Sequence, residues 1–166
     1  MPVWAGVLIG AVTGAVLVVL VPLSLIVLVL GLRYVNAPPV PDGAPLTLTS
    51  NELTGTWQDD RGGILVVAAD GSLSATEACG DYRGSGSAVG SGSTLPSRLS
   101  GTGEWSAFDR IDQDGGTEIT LRFTGTYDGG DIGGSLYAWG SGDAPVLWTS
   151  IGDPDNGDLC VLRKVD

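Results

Sequence analysis

Apolar residues form one almost uninterrupted block at the start of the chain. No charged residue occurs between Val3 and Leu32, and Arg33 is the first one. Thirty helical residues measure about 45 Å, enough to cross the roughly 30 Å hydrocarbon core of a bilayer with tilt or a bend at Pro22. The run is longer than the apolar region of a signal peptide. It therefore predicts an uncleaved transmembrane helix over residues 3–32, with the lipid bilayer as a partner.

Small residues recur on one face of this predicted helix. Gly6, Gly10 and Gly14 are spaced four residues apart, and such a stripe lets two helix backbones approach closely. The stripe predicts a homodimer or a contact with another membrane protein. The alternative is that glycine is simply common in membrane helices.

Prolines mark the next segment. Residues 33–50 contain Pro38, Pro39, Pro41 and Pro45, which favour an extended, polyproline-like chain. We therefore predict a linker over 33–50, ahead of a folded domain over 51–166.

The pattern of the domain has a period of two residues. Between Glu118 and Thr124 the residues Ile119, Leu121 and Phe123 alternate with polar ones, as in a strand with one buried face. Turn residues such as Asp70 and Gly71 separate short segments of this kind. Eight strands are predicted, at 53–58, 64–69, 72–78, 103–108, 118–124, 134–139, 146–151 and 159–165. Short antiparallel strands joined by tight turns predict an all-β up-and-down barrel, with a Gly/Ser-rich loop over 80–97.

A Gly-x-Trp motif and a basic residue stand at the two ends of this strand set. Gly55 and Trp57 lie in the first predicted strand, and Arg163 lies in the last. One face of the last strand carries Leu159, Val161, Arg163 and Val165. Because three of the four are apolar, we predict that Arg163 points inward and stacks on Trp57. The combination resembles the lipocalin and wider calycin family, in which such residues close the base of a β-barrel. The resemblance implies a calycin-like barrel in which both residues are structural.

Two cysteines, Cys79 and Cys160, are the only ones in the chain, and there is no histidine. Without further ligands they make no zinc site, so in an oxidising compartment we expect a disulfide. Cys79 follows the end of the third predicted strand and Cys160 lies at the start of the eighth. These two points lie at the same end of the barrel, but the two strands are not neighbours. A disulfide needs Cα atoms within about 7 Å, which requires a flattened barrel or a different strand order.

Composition narrows the possible functions. A net charge of −11 repels phosphates, so nucleic-acid binding is not expected. Without histidine, a nucleophile elbow or a phosphate loop, we expect no enzyme and no cofactor. The acidic stretch 153–158 departs from a calcium loop in the order of its residues, so we interpret it as a turn rather than a metal site.

These observations predict a bacterial cell-membrane protein with one span and an extracytoplasmic domain, since the domain is acidic and carries a cysteine pair. The expected function is a non-catalytic binding or interaction module of the cell envelope, with a ligand that the sequence does not name. The alternatives are a structural or assembly partner of another membrane protein, and a carboxylate-based hydrolase. The aromatic residues either pack in the core or line a pocket for apolar ligands or sugars; they are Trp105, Tyr127, Tyr137, Trp139 and Trp148.

Overall fold

A computed structural model describes residues 39–85, 96–110, 115–127 and 130–165. The predicted helix over 3–32, with Gly6, Gly10 and Gly14, lies outside these ranges. Among the described residues, no helix has the length and apolar character needed to cross a bilayer. The elements are β1 Ala44–Pro45, α1 Ser50–Leu53, β2 Gly55–Asp59, β3 Ile64–Val67, β4 Ser72–Cys79, β5 Arg83–Ser85, β6 Arg98–Asp109, β7 Thr117–Tyr127, β8 Gly130–Ser141, β9 Ala144–Ser150 and β10 Leu159–Val165.

Eight of these strands form a closed antiparallel barrel. Each pairs with its neighbour in the order β2, β3, β4, β6, β7, β8, β9 and β10, and β10 pairs with β2 again. This confirms the predicted all-β up-and-down barrel. All eight predicted strands are present, although β6 begins at Arg98 rather than at residue 103. Two short strands, β1 and β5, lie outside the eight and pair with β8.

The inner faces of the strands pack into one apolar core. In β7 the predicted inward residues Ile119, Leu121 and Phe123 are at most 2% exposed. Trp57 of β2 is fully buried, and its indole Nε1 donates a hydrogen bond to the Leu53 carbonyl at 2.9 Å. Aliphatic and aromatic side chains from the barrel strands therefore fill the barrel interior.

The segment before β2 is part of the barrel, which corrects the linker prediction for residues 39–50. β1 pairs with β8, and the Leu46 backbone bonds to Ala138 and Thr117. Leu46 also packs against the core. The short helix α1 follows, with a capping box between Thr49 and Glu52. This segment closes the barrel end at which β2 begins.

The predicted disulfide between Cys79 and Cys160 is present, with Cα atoms 5.5 Å apart. Its geometry follows from the shortness of the β2–β3 hairpin. β4 extends three residues past Thr76, the partner of Ile64 at the start of β3, and β10 begins three residues before Leu162, the partner of Asp59 at the end of β2. The two longer strands thus project beyond the hairpin, where the disulfide joins them although they are not neighbours.

Candidate functional site

Side chains fill the interior of the barrel, so the candidate site lies on its outer wall. The predicted pairing of Arg163 with Trp57 is wrong: Arg163 is exposed on the outer wall. The neighbouring Lys164 pairs with Trp57 across the strands, and its Nζ lies 5.6 Å from the centroid of the Trp57 ring. The same Nζ donates a 2.6 Å hydrogen bond to the Glu52 carbonyl. Lys164 is thus the basic residue that contacts the Gly-x-Trp tryptophan.

The error follows from the composition of β10, which is apolar on both faces. Cys160 and Leu162 point inward and are at most 1% exposed. The outer residues are Leu159, Val161, Arg163 and Val165, of which Val165 is 37% exposed. Alternation alone therefore predicts two faces but does not identify the buried one.

An aromatic cluster lies on the outer wall, formed by Tyr137 and Trp139 of β8 and Trp148 of β9. The Trp148 ring centroid lies 5.9 Å from that of Tyr137 and 5.8 Å from that of Trp139. The guanidinium of Arg110 lies 4.9 Å from the Tyr137 centroid and covers part of the ring. The sequence suggested that these aromatics pack in the core or line a pocket. They lie on the outer wall rather than in the core, and Tyr137 lines a groove there. Trp105 packs against the core instead, with its Nε1 bonded to the Ala68 carbonyl.

A break in strand pairing lies beside this cluster. Along one edge of β8, Asp131–Gly133 pair with β5, and Tyr137–Ser141 pair with β9. Between these stretches, residues 134–136 have no strand partner on this edge within the described ranges. We call the opening there the seam groove. Its volume is about 480 Å³, and its lining residues are Asp81, Arg83, Thr120, Gly133, Gly134, Ser135, Tyr137, Thr149 and Ser150.

Tyr82 packs beside β8 at this point. Its ring is buried and lies edge-on to Phe123. Its hydroxyl lies 3.0 and 3.1 Å from the carbonyl oxygens of Ala78 and Cys79, which share its one hydrogen as acceptors. A Cβ at Gly134 would come within 3.2 Å of the Tyr82 ring, so glycine provides the space for this ring. Burial, together with the charge of Asp59, raises the pKa of the Tyr82 hydroxyl, which stays a neutral donor.

The groove presents unused hydrogen-bonding groups. Within the described residues, the hydroxyls of Thr120, Ser135 and Tyr137 have no protein partner. The carboxylate of Asp81 accepts a 2.9 Å bond from Arg83, whose side chain is largely exposed at the rim. A larger groove of about 580 Å³ crosses the outer wall of β3, β4 and β6, but no aromatic ring lines it. The seam groove combines several hydroxyls with a carboxylate and an aromatic wall. A smaller groove of about 340 Å³ in the described part of the chain is lined by one aromatic ring, Trp105, but by a single hydroxyl, that of Ser72.

A buried ion pair lies at the disulfide end of the barrel. The Asp59 side chain is fully buried and bonds to Arg98 at 2.8 Å. It also accepts hydrogen bonds from the backbone N–H groups of Arg61, Gly63 and Cys79. Burial alone would raise the pKa of Asp59, but these hydrogen bonds, that of Arg98 first, outweigh burial and lower it. The carboxylate has four partners, so we assign it a structural role.

The acidic stretch 153–158 forms a turn, as predicted. Pro154–Asn156 make one 3-10 turn, in which the Asp153 side chain accepts a hydrogen bond from the Asp155 N–H. Gly157 follows with a left-handed backbone, φ 76°.

Comparison with protein-family models, with curated proteins and with solved structures finds no match to this chain.

Proposed function

We propose that this is a membrane-anchored protein of the cell envelope whose barrel is a non-catalytic binding module, and that it binds a neutral, polyhydroxylated ligand such as a saccharide in the seam groove. The observation that carries the proposal is the convergence of three hydroxyls on one groove, those of Thr120, Ser135 and Tyr137, none of which has a partner in the described ranges. Its volume of about 480 Å³ falls in the range of small-molecule sites.

The chemistry of the lining fits sugar hydroxyls. A hydroxyl side chain both donates and accepts hydrogen bonds, and so does each hydroxyl of a sugar. The Asp81 carboxylate adds an acceptor, and the Tyr137 ring provides an apolar wall for the C–H groups of the ligand. These groups would hold a sugar without breaking any contact of the barrel core.

Charge favours a neutral ligand over an anionic one. The chain has a net charge of −11, which repels anions at long range. Within the groove, Asp81 is paired with Arg83, so neither charge is left to select a strongly ionic ligand.

The location outside the cytoplasm is part of the proposal. It is supported by the Cys79–Cys160 disulfide, since such bonds persist mainly in oxidising compartments. The anchor itself rests on the apolar run over residues 3–32.

We also propose a relation to the calycins, limited to architecture. It is supported by the closed eight-stranded barrel and by the contact between Lys164 and Trp57. The filled interior argues against an apolar ligand inside the barrel.

A second candidate function is an assembly partner of another membrane protein. One row of the outer wall favours it: Val165 of β10 pairs with Thr56, and Thr56 pairs with Val66 of β3. Both valines are 37% exposed, and Arg163 lies on the same outer face. Exposed apolar residues beside an arginine are typical of protein interfaces. If this function is the correct one, Val66→Ser should weaken the association of the chain with a membrane protein that copurifies with it, and should leave saccharide binding unchanged.

The proposed function predicts saccharide binding that depends on Thr120. We would titrate the full chain in nanodiscs with a panel of neutral saccharides and follow tryptophan fluorescence. Thr120→Val removes one hydroxyl at nearly constant volume, and a net hydrogen bond of about 0.5–1.5 kcal/mol corresponds to roughly 2- to 12-fold weaker binding.

Thr124→Val is the matched control. Thr124 lies on the same outer face of β7 but outside the seam groove. The saccharide affinity of the Thr124→Val variant should therefore stay at the wild-type value. No binding of any saccharide at millimolar concentration, or equal effects of the two variants, would contradict the proposal.

A further inference from the structure

The proline segment that precedes β1 lies on the outer-wall aromatic cluster. The indole Nε1 of Trp139 donates a 2.8 Å hydrogen bond to the Pro41 carbonyl. A Cβ at Gly157 would come within 3.6 Å of Cγ of Pro39. Residues 39–41 therefore run from the turn at 153–157 to Trp139, one of the three rings of the cluster.

This arrangement matches the chemistry by which proteins recognise proline-rich chains. A polyproline segment has no internal hydrogen bonds and is extended before it binds, so ordering it costs little entropy. Its carbonyls accept hydrogen bonds, and aromatic grooves receive its rings. The cluster supplies a donor at Trp139, which packs edge-on to Trp148. A further donor, Nε1 of Trp148, is buried and has no acceptor among the described residues.

We propose that this cluster is a polyproline-binding surface, and that the chain's own residues 39–41 are its occupant. The contact is separable from the fold. Pro39, Val40 and Asp42 are exposed, and the side-chain hydrogen bond that holds the segment is that of Trp139. Close packing against the barrel begins at Gly43, whose backbone lies against Gly140, and continues with β1 at Ala44 and with Leu46, which packs against the core. Residues 39–42 can leave the cluster while β1 and the barrel stay intact.

Release would lengthen the connection to the predicted helix. When residue 39 is docked, six residues, 33–38, lie between that helix and the first docked position. When residues 39–42 are released, ten residues, 33–42, lie between that helix and Gly43. The aromatic cluster thereby controls the length of the tether.

The test measures cleavage of the segment in the full chain in nanodiscs. A protease that cuts before aspartate can cleave between Pro41 and Asp42, and mass spectrometry identifies that cut. Trp139→Phe keeps a ring but removes the N–H donor, so we expect the cut to become at least fivefold faster. Pro39→Ala with Pro41→Ala should have the same effect. The urea midpoint of barrel unfolding should stay unchanged in both.

Trp105→Phe is the matched control, because Trp105 makes the same kind of indole–carbonyl bond, to Ala68 at 2.8 Å, away from the segment. Its cleavage rate before Asp42 should equal that of the wild type. An unchanged cleavage rate in Trp139→Phe would overturn the proposal. A faster rate would also overturn it if the barrel lost enough stability to account for the whole increase.

Binding in trans gives a second readout. A synthetic peptide with the sequence of residues 38–45 should bind the Pro39→Ala, Pro41→Ala variant, whose own segment is weakened as a ligand. The same peptide should bind the wild type more weakly, since the tethered segment competes at high effective concentration. Addition of Trp139→Phe to the variant should abolish binding; if it does not, the cluster is not the recognition surface.

Discussion

At the scale of single residues, alternation predicts which side chains share a face, but not which face is buried. In β7 the two faces differ in polarity, and the predicted inward set of Ile119, Leu121 and Phe123 is confirmed. In β10 both faces are apolar, and the prediction for Arg163 failed. The register between β10 and β2, which closes the barrel and pairs Lys164 with Trp57, determines which face of β10 is buried. That register is a property of the whole barrel and is not encoded locally in β10.

Substitution of the two basic residues of β10 tests this assignment. Lys164→Ala removes the cation near the Trp57 ring and the bond to the Glu52 carbonyl, so we expect a loss of about 1 kcal/mol. Arg163→Ala, on the exposed face, should stay within about 0.5 kcal/mol of the wild type. Urea unfolding at neutral pH measures both, and the reverse ranking would show that the register is wrong.

The Asp59 carboxylate predicts a pH dependence of stability. Its folded-state pKa lies below the ordinary value of 3.8. Its contribution is therefore complete above that value and is lost as the pH falls below 3.8 through the folded-state pKa. Asp59→Asn leaves Arg98 without its partner, and we expect a loss of about 2–4 kcal/mol at pH 7, moderated by the partial exposure of Arg98.

Asp60→Asn, at an exposed neighbouring position, is the control and should leave the urea midpoint nearly unchanged at pH 7. The difference in unfolding free energy between the wild type and Asp59→Asn should shrink between pH 5 and pH 2. A difference that is constant over this range would show that the carboxylate charge is not what stabilises the fold.

At the scale of elements, strands were predicted better than the segment before them. Prolines in residues 39–50 suggested a linker. Proline is compatible with a free extended chain and with an extended chain docked on the barrel, so it does not distinguish the two. Helix α1 has four residues, too few to show helical periodicity. Its capping box between Thr49 and Glu52 was the one local signal that could have identified it.

The disulfide joins two elements that the strand order keeps apart, so its removal should be costly. Cys79 and Cys160 are separated by 81 residues, for which loop-closure entropy gives about 4.5 kcal/mol of stabilisation. A Cys79→Ser, Cys160→Ser double variant should unfold at a much lower urea concentration than the oxidised wild type. The wild type treated with reductant should approach the same midpoint. Equal midpoints with and without reductant would show that the bond does not form in solution.

At the scale of the whole molecule, the sequence predicted the barrel but not the site. Eight alternating segments joined by turns are enough to identify an up-and-down barrel. The seam groove depends instead on the chain that connects β4 to β6, where Tyr82 enters the core and β5 pairs with β8. The Gly/Ser-rich sequence of this connection shows no periodicity, so only the three-dimensional structure reveals where the pairing of β8 with β9 ends.

The interruption between β8 and β9 also affects self-association. An unpaired strand edge is a template on which another copy of a chain can add a strand, and such addition leads to aggregation. β5 covers Asp131–Gly133, and β9 covers β8 from Tyr137 onward. Among the residues that the structure describes, the edge left open is three residues long, shorter than the five or six of a typical strand. The opening is therefore wide enough for a small molecule but too short to nucleate a fibril.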